Sequence, residues 1–311
     1  MLKNFRNSLV IFIITFLAGL LIFGVAALIV VPKIGDLLAF DDPVDVIIAD
    51  EGDELISTDG KTNVKSSGLS ILLVGTDYQP EVTPGAKVSA DTIIFMTVSE
   101  ETKSFVFMPF PSRTDVTVDG EVMFLGDAYG EKGIEYLCEK ITGLTGITVN
   151  YYAVVSLSGM QSIVDKLGGV DFSVPVNMRF EDSSQDLVID IDRGYQKLDG
   201  DHSVKMLRYR GDSFKDRTSR NLSFLQTAIR LCISIWPESE ASELYLKLAP
   251  YVTTNFTESD LQKYASTIWA YNDYNEISLE LPGRYSTNED GYTIYIADTS
   301  AAYKMLNEYK N

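Results

Sequence analysis

The chain has 311 residues, a formal net charge of −18, one histidine and two cysteines. So acidic a composition lacks the broad basic face that nucleic-acid binding needs, so nucleic acid is excluded as a partner. One histidine rules out a poly-His metal centre, and neither Cys138 nor Cys232 sits in a metal-ligand spacing.

Residues 1–8 form a short tail carrying Lys3 and Arg6, and residues 9–31 are a run of 23 without a charge. At about 1.5 Å per residue such a helix reaches about 34 Å, enough for a bilayer core of about 30 Å. A cleaved signal peptide is the competing reading, but its apolar region normally runs about 7–15 residues. From Asp41 to Asp59 there are eight acidic residues and no basic one. This charge asymmetry places the N-terminus in the cytoplasm and the rest outside the cell membrane, on a single-pass anchor. Residues 32–68 read as an acidic linker, with one short strand at Val44 to Ile48.

The globular part spans 69–311. Ile71 to Val74 is a buried strand opening into Gly75-Thr76-Asp77, and Thr92–Val98 and Ser104–Met108 are adjacent strands joined by a hairpin-length turn. Ile134, Leu137, Cys138 and Ile141 fall at helical spacing, as do Met160, Ile163, Val164 and Leu167 behind Ser158 as N-cap. Tyr151 to Leu157 between them is a strand, followed by strands at Val170–Val174 and Leu187–Ile191. His202 takes a surface helix position, and Leu222, Leu225, Ile229 and Ile233 mark a long helix. Helices at 239–249 and 258–271, strands at Glu276–Glu280 and Tyr292–Ile296, and a closing helix from Thr299 complete the chain. The alternation predicts an α/β fold with a mixed central β-sheet flanked by helices. Cys138 and Cys232 lie in apolar helical patterns and read as buried free thiols, a disulfide being the alternative.

Two sets of residues carry chemistry. Lys205, Arg208, Arg210, Lys215, Arg217 and Arg220 crowd into sixteen positions of an otherwise acidic chain. Guanidinium groups bind phosphate in bidentate fashion and keep their charge, so the cluster suits a polyanion such as a pyrophosphate, the alternative being a solvated basic loop. Asp77 and Asp91 sit at the ends of neighbouring strands, and two carboxylates are a usual protein contribution to Mg²⁺. Arg113 follows another strand in Pro111-Ser112-Arg113-Thr114.

Taken in order, Gly75-Thr76-Asp77, Ser89-Ala90-Asp91-Thr92, Pro111-Ser112-Arg113, Tyr151-Tyr152, Leu167-Gly168-Gly169-Val170-Asp171, Gly194-Tyr195-Gln196-Lys197-Leu198-Asp199-Gly200 and Arg208-Tyr209-Arg210 resemble the LytR-CpsA-Psr family over residues 69–235. The resemblance implies an α/β/α sandwich behind one membrane helix. It implies a phosphotransferase that moves a glycopolymer, of teichoic acid or capsular polysaccharide type, from undecaprenyl-pyrophosphate to peptidoglycan. By that resemblance Asp77 and Asp91 hold Mg²⁺ (or Mn²⁺), and Arg113, Arg208 and Arg210 are catalytic and grip the pyrophosphate with Arg217 and Arg220. The sequence departs from the family pattern at Thr114, at Asp127 and at Asn221. Asp115, Asp127 and Asp212 are all candidates for a general base. A non-catalytic polyprenyl-phosphate-binding scaffold of envelope assembly is the alternative expectation.

Overall fold

The computed structural model describes residues 55–56, 62–63, 68–77, 88–211, 213–288 and 291–309, all within one compact unit, Glu54–Asn311. The apolar run 9–31, the strand expected at Val44 to Ile48 and Asp212 lie outside the described residues. Among the described residues no helix is long and apolar enough to cross a membrane.

A two-residue pair, β1 (Leu55–Ile56) and β2 (Thr62–Asn63), precedes the sheet strands β3 (Ser70–Thr76), β4 (Ala90–Ser99) and β5 (Ser104–Phe110). Next come the hairpin β6 (Asp115–Val118) and β7 (Glu121–Phe124), helices α1 (Leu125–Lys132) and α2 (Ile134–Thr145), strand β8 (Tyr151–Ser156) and helix α3 (Leu157–Lys166). Strands β9 (Val170–Val174), β10 (Met178–Asp182), β11 (Leu187–Ile191) and β12 (Gly194–Leu198) form two small antiparallel pairs, β9 with β12 and β10 with β11. Helices α4 (Gly200–Arg208), α5 (Phe214–Ile235) and α6 (Ala241–Leu248) follow, then β13 (Thr253–Thr254) and α7 (Glu258–Trp269). Strand β14 (Asn275–Ser278), the hairpin β15 (Gly283–Thr287) and β16 (Thr293–Ala297), and α8 (Thr299–Asn307) close the chain.

The central sheet runs β13-β8-β3-β4-β5-β14. It is mixed: β3 pairs parallel with β8 and β5 parallel with β14, while β4 is antiparallel to both its neighbours. Central strands buried on both faces need nearly continuous apolar runs, and β4 and β5 supply them in Ile93–Val98, broken only by the buried Thr97, and in Phe105–Met108. One face packs Leu72, Ile93 and Phe95 against Leu125, Leu137, Ile141 and Leu306 of α1, α2 and α8. The other packs Ile94, Met96 and Phe107 against Leu222 and Leu225 of α5 and Tyr264 and Ile268 of α7. This is the three-layer arrangement expected. A separate core under the small strand pairs joins Phe172, Met178 and Ile189 to Val164, Met206 and Phe224.

Several local expectations need correction. The N-cap of α3 is Ser156, whose hydroxyl accepts the Gly159 N–H at 3.0 Å, and Ser158 is already inside the helix. Strand β10 has a readable signal, because Met178 and Phe180 alternate with Arg179 and Glu181. Hairpin β6–β7 has one as well, Asp119-Gly120 at positive φ between alternating strands, and β16 matches the strand expected at Tyr292–Ile296, whereas β15 has none so clear. Both cysteines are free thiols: Cys138 packs against the α1–α2 side of the sheet and Cys232 against the other core. His202 is exposed on α4, its Nδ1 2.7 Å from the capping carboxylate of Asp199.

Candidate functional site

Asp77, immediately after β3, and Asp91, near the start of β4, face the same cavity of about 390 Å³ between the sheet and α5. Strict alternation along β4 would send Asp91 to the same side as Ile93 and Phe95. It does not, because pairing with β3 slips: Gly75 faces Thr92 and the next residue, Thr76, faces Ala90. The slip leaves Asp91 as an extra residue in a β-bulge, a device that re-aims a side chain. Asp91 therefore shares the cavity with Thr92 and Ile94, while Ala90 joins the opposite core. Gly75 permits this close crossing, since a Cβ there would meet Thr92 Cβ at 3.2 Å.

The basic residues reach the cavity from two elements. Arg208 ends α4 and Arg210 follows one residue after its cap, and both line the wall. Arg217 lies in the first turns of α5 and shares one helical face with Asn221, Phe224 and Ala228, all lining residues. Arg210 Nη2 donates to Asp91 Oδ1 at 3.1 Å. Burial and the nearby Asp77 carboxylate push the Asp91 carboxyl up to about 6, in spite of Arg210 and Arg217. Burial, together with the charges of Arg210 and Arg113, lowers the Arg217 pKa against the pull of Asp91.

Two predicted arginines lie outside the cavity wall. Arg220 is only 4% exposed; its Nη2 donates to the Tyr209 carbonyl at 2.8 Å, and its guanidinium lies 5.8 Å from the Tyr209 ring centre. It thereby braces the residue that separates Arg208 from Arg210. Burial lowers its pKa to about 10, so it remains charged at neutral pH. Arg113 is exposed, its guanidinium 5.9 Å from the Phe124 ring centre and 5.7 Å from that of Tyr292. At the departures from the family pattern, Thr114 is buried and its hydroxyl donates to the Pro111 carbonyl at 2.7 Å, shaping the turn that carries Arg113. Asp127 is exposed in the first turn of α1, and Asn221 lines the cavity, its Oδ1 buried and without a partner among the described residues.

The β10–β11 hairpin adds residues that the sequence did not single out. Gln185 accepts a hydrogen bond from Arg208 Nη2 through its Oε1, while its Nε2 donates to Asp182 Oδ2 at 2.9 Å. Asp182 Oδ1 accepts the Ser184 hydroxyl and N–H, which keep its pKa below the usual carboxylate range. No periodicity marks Gln185, which lies in a turn. Beneath this polar rim the wall turns apolar, with Leu73, Ile94, Val155, Met160, Leu187 and Leu225.

This arrangement joins a hydrophobic body to a rim holding three carboxylates, Asp77, Asp91 and Asp182, and three guanidinium groups. Asp77 and Asp91 repel each other in a partly dry setting, which is the donor chemistry of a hard divalent cation that draws its other ligands from phosphate and water. Among the described residues no cluster of three or more His, Cys, Asp or Glu offers a fully protein-built metal cage. Glycines bring the supporting helix close: a Cβ on Gly126 would lie 2.6 Å from the Ala90 carbonyl oxygen, so α1 packs directly on the strand start bearing Asp91.

Comparison with known proteins bears on the fold and the family. The polyisoprenyl-teichoic acid–peptidoglycan teichoic acid transferase TagU of Bacillus mycoides is 24% identical over 255 residues, covering 79% of each chain. TagU of Bacillus licheniformis is 23% identical over 249 residues, covering 78% of this chain and 77% of its own. Among solved structures, Bacillus subtilis TagV superposes with a TM-score of 0.67 at 20% identity, over 79% of this chain and 98% of that one. Bacillus subtilis TagT gives 0.60 at 16% identity, over 78% and 89%. These likenesses show a shared fold, and the family model described as the LytR_cpsA_psr family matches residues 47–311. The chain belongs to the LytR_cpsA_psr family.

Proposed function

We propose that the protein is a membrane-anchored phosphotransferase that moves a glycopolymer from undecaprenyl-pyrophosphate to peptidoglycan. The carrying observation is the single cavity whose apolar body ends under Asp77, Asp91, Arg208, Arg210 and Arg217. An isoprenoid pyrophosphate has the same two-part character, and the relatives named TagU support the reading with their teichoic acid transferase names. The anchor is residues 9–31, which would keep the globular part at the membrane holding the lipid carrier.

In this reading the apolar lining takes the polyprenyl chain and excludes water from the reacting end. Arg208, Arg210 and Arg217 hold the pyrophosphate and neutralise charge on its oxygens, which is most of what phosphoryl transfer asks of a protein. A hydroxyl of peptidoglycan attacks the phosphorus on the sugar side. A new P–O bond to the acceptor forms, the bond to the bridging oxygen breaks, undecaprenyl phosphate leaves and the hydroxyl proton is released. Asp77 and Asp91 would hold Mg²⁺, or Mn²⁺, which when bound supplies further neutralisation of the pyrophosphate charge. Arg220 acts by fixing Tyr209 between two of the phosphate-binding arginines.

The test is turnover of a lipid-linked glycopolymer by the full-length protein, with mass spectrometry of lipid that copurifies. Mg²⁺-dependent release of undecaprenyl phosphate, abolished by Arg208→Ala, is expected. Lipid retention without turnover in the presence of Mg²⁺ and acceptor would favour the scaffold reading. Absence of both would remove the proposal.

A further inference from the structure

Arg113 leaves the sheet at the same end as the paired carboxylates. Ile93 of β4 pairs with Phe110 of β5, so the chain entering β4 through Asp91 and the chain leaving β5 toward Arg113 lie at one end of the sheet. Gly126 sits against both: a Cβ there would meet the Ala90 carbonyl oxygen at 2.6 Å and Ser112 Cβ at 3.2 Å. The backbone around Arg113 is fixed. The Gly126 N–H donates to the Ser112 carbonyl at 2.8 Å, the Tyr295 N–H to the Arg113 carbonyl at 2.9 Å and the Leu125 N–H to the Thr114 carbonyl at 2.8 Å. Any movement of Arg113 is therefore a movement of its side chain on a rigid stalk.

That side chain is held lightly. Among the described residues its guanidinium has neither an ion pair nor a hydrogen bond, in a chain with 44 acidic residues against 26 basic ones. Its neighbours are two rings, with the centre of Phe124 at 5.9 Å and that of Tyr292 at 5.7 Å. These distances lie near the outer limit of a cation–π contact, about 6 Å, and such a contact at an exposed site is weaker than a charge-assisted hydrogen bond to phosphate. Tyr292 is 54% exposed, but its backbone is pinned, its N–H donating to Asn288 Oδ1 at 2.8 Å and its carbonyl accepting the Asn288 N–H at 3.0 Å. The charge of Arg113 still reaches the rim, where it adds to the burial and the Arg210 charge that lower the Arg217 pKa. Keeping a fourth guanidinium outside the cavity wall spares the rim further repulsion until an anion arrives.

We propose that Phe124 and Tyr292 form a resting cradle for Arg113, from which the guanidinium turns to a phosphate group held at the rim, so that the rings compete with the anion for it. Tyr292 is a positioning residue in this arrangement, and it restrains the anion affinity of the rim. The inference rests on the reading of the rim as a phosphate site and is independent of the transfer step.

The experiment titrates the full-length protein in detergent micelles with inorganic pyrophosphate by calorimetry, at one fixed ionic strength. Unaltered protein is compared with Arg113→Ala, Tyr292→Ala, Tyr292→Phe and the double variant Arg113→Ala/Tyr292→Ala. Both side chains are exposed, so the variants keep the fold. Arg113→Ala should weaken binding roughly tenfold through loss of a charge-assisted contact. Tyr292→Ala should tighten it about twofold to fivefold, whereas Tyr292→Phe, which keeps a ring face, should stay within about 1.5-fold of the unaltered protein. In the Arg113→Ala background Tyr292→Ala should change nothing, because the ring has no guanidinium left to hold. Tightening that persists in that background, or unchanged or weaker binding in Tyr292→Ala, overturns the cradle and leaves the rim a phosphate site. Absence of pyrophosphate binding in all five proteins overturns both.

Discussion

Arg220→Leu is the most informative single substitution, because it separates bracing from direct phosphate contact. Arg220 is 4% exposed and donates to the Tyr209 carbonyl at 2.8 Å. Leucine approximates the buried stem but leaves that carbonyl without this donor. A hydrogen bond from a charged group contributes about 1.5–3 kcal/mol, and the contact with the Tyr209 ring adds about 0.5–1 kcal/mol. Release of a buried charge offsets part of this, so the net loss should be about 2 kcal/mol. In a domain of this size that corresponds to roughly 4–8 °C in Tm. The functional consequence is distinct: Tyr209, no longer held, lets Arg208 and Arg210 spread, and affinity for inorganic pyrophosphate should fall about tenfold. Circular-dichroism melting and calorimetric titration of the full-length protein measure the two effects. A Tm within 1–2 °C of the unaltered protein would show that the buried hydrogen bond adds nothing net. A lowered Tm with pyrophosphate affinity intact would refute the bracing role.

Other substitutions test the remaining parts of the site. Gln185→Ala removes the acceptor that orients Arg208 and should reduce pyrophosphate affinity about threefold to tenfold while moving Tm by less than about 2 °C, because the residue sits in an exposed turn; unchanged affinity would show that Arg208 needs no such partner. Gly126→Ala forces a methyl group against the Ala90 carbonyl oxygen and should cost about 1–3 kcal/mol in denaturant unfolding, together with weakened Mg²⁺ binding as the strand start carrying Asp91 shifts; unimpaired Mg²⁺ binding in a destabilised protein would disconnect the helix contact from the carboxylates. Asp91→Asn relieves burial of a charge beside Asp77 and should raise Tm without divalent cation while abolishing the stabilisation that Mg²⁺ gives; a fall in Tm would mean that the Arg210 pair outweighs the repulsion. Burial pushes Cys138 up to about 12 and Cys232 to about 11, so the benefit of keeping each thiol protonated is complete below about 9 and is lost as pH rises through those values. Iodoacetamide at pH 8.5 should therefore leave both thiols unmodified in native protein and alkylate both after unfolding, as read by mass spectrometry.

The central strands were legible because a sheet covered on both faces demands apolar runs, and Ile93–Val98 and Phe105–Met108 satisfy that demand. The long helix was legible from Leu222, Leu225, Ile229 and Ile233, which pack on the sheet as one face. The juxtaposition of Asp77 with Asp91 followed from the strand ends, but its geometry did not, since alternation alone would bury Asp91 on the wrong side of β4. Periodicity arguments assume an unbroken ladder, and a bulge violates that assumption without changing composition. Arg217 and Arg220 illustrate the same limit on a helix: three residues apart they share a broad face, yet one lines the cavity and the other turns to a backbone carbonyl. Gln185 was invisible for a different reason, because its role depends on a turn brought to Arg208 by tertiary packing rather than by any local pattern.

The bulge and the apolar cavity explain each other. A carboxylate on the opposite side of β4 would be buried among Ile93 and Phe95 with no cation near it, at a cost of several kcal/mol. Moved by one residue, Asp91 meets Asp77 and Arg210 at the boundary where the wall changes from leucine and isoleucine to charged groups. At that boundary the groups are only partly withdrawn from water, Arg210 more exposed than Asp91, so their charges act on one another without bearing the full penalty of burial. The cluster is overcharged in both senses: on top of burial, Asp77 repels the Asp91 carboxylate, and Arg210 and Arg113 add to the burial that lowers the Arg217 pKa. A ligand that brings a cation to the first pair and a polyanion to the second relieves both repulsions at once. The strain within the site thus selects for the two charges together, and pyrophosphate and Mg²⁺ should each increase the affinity for the other when titrated in either order.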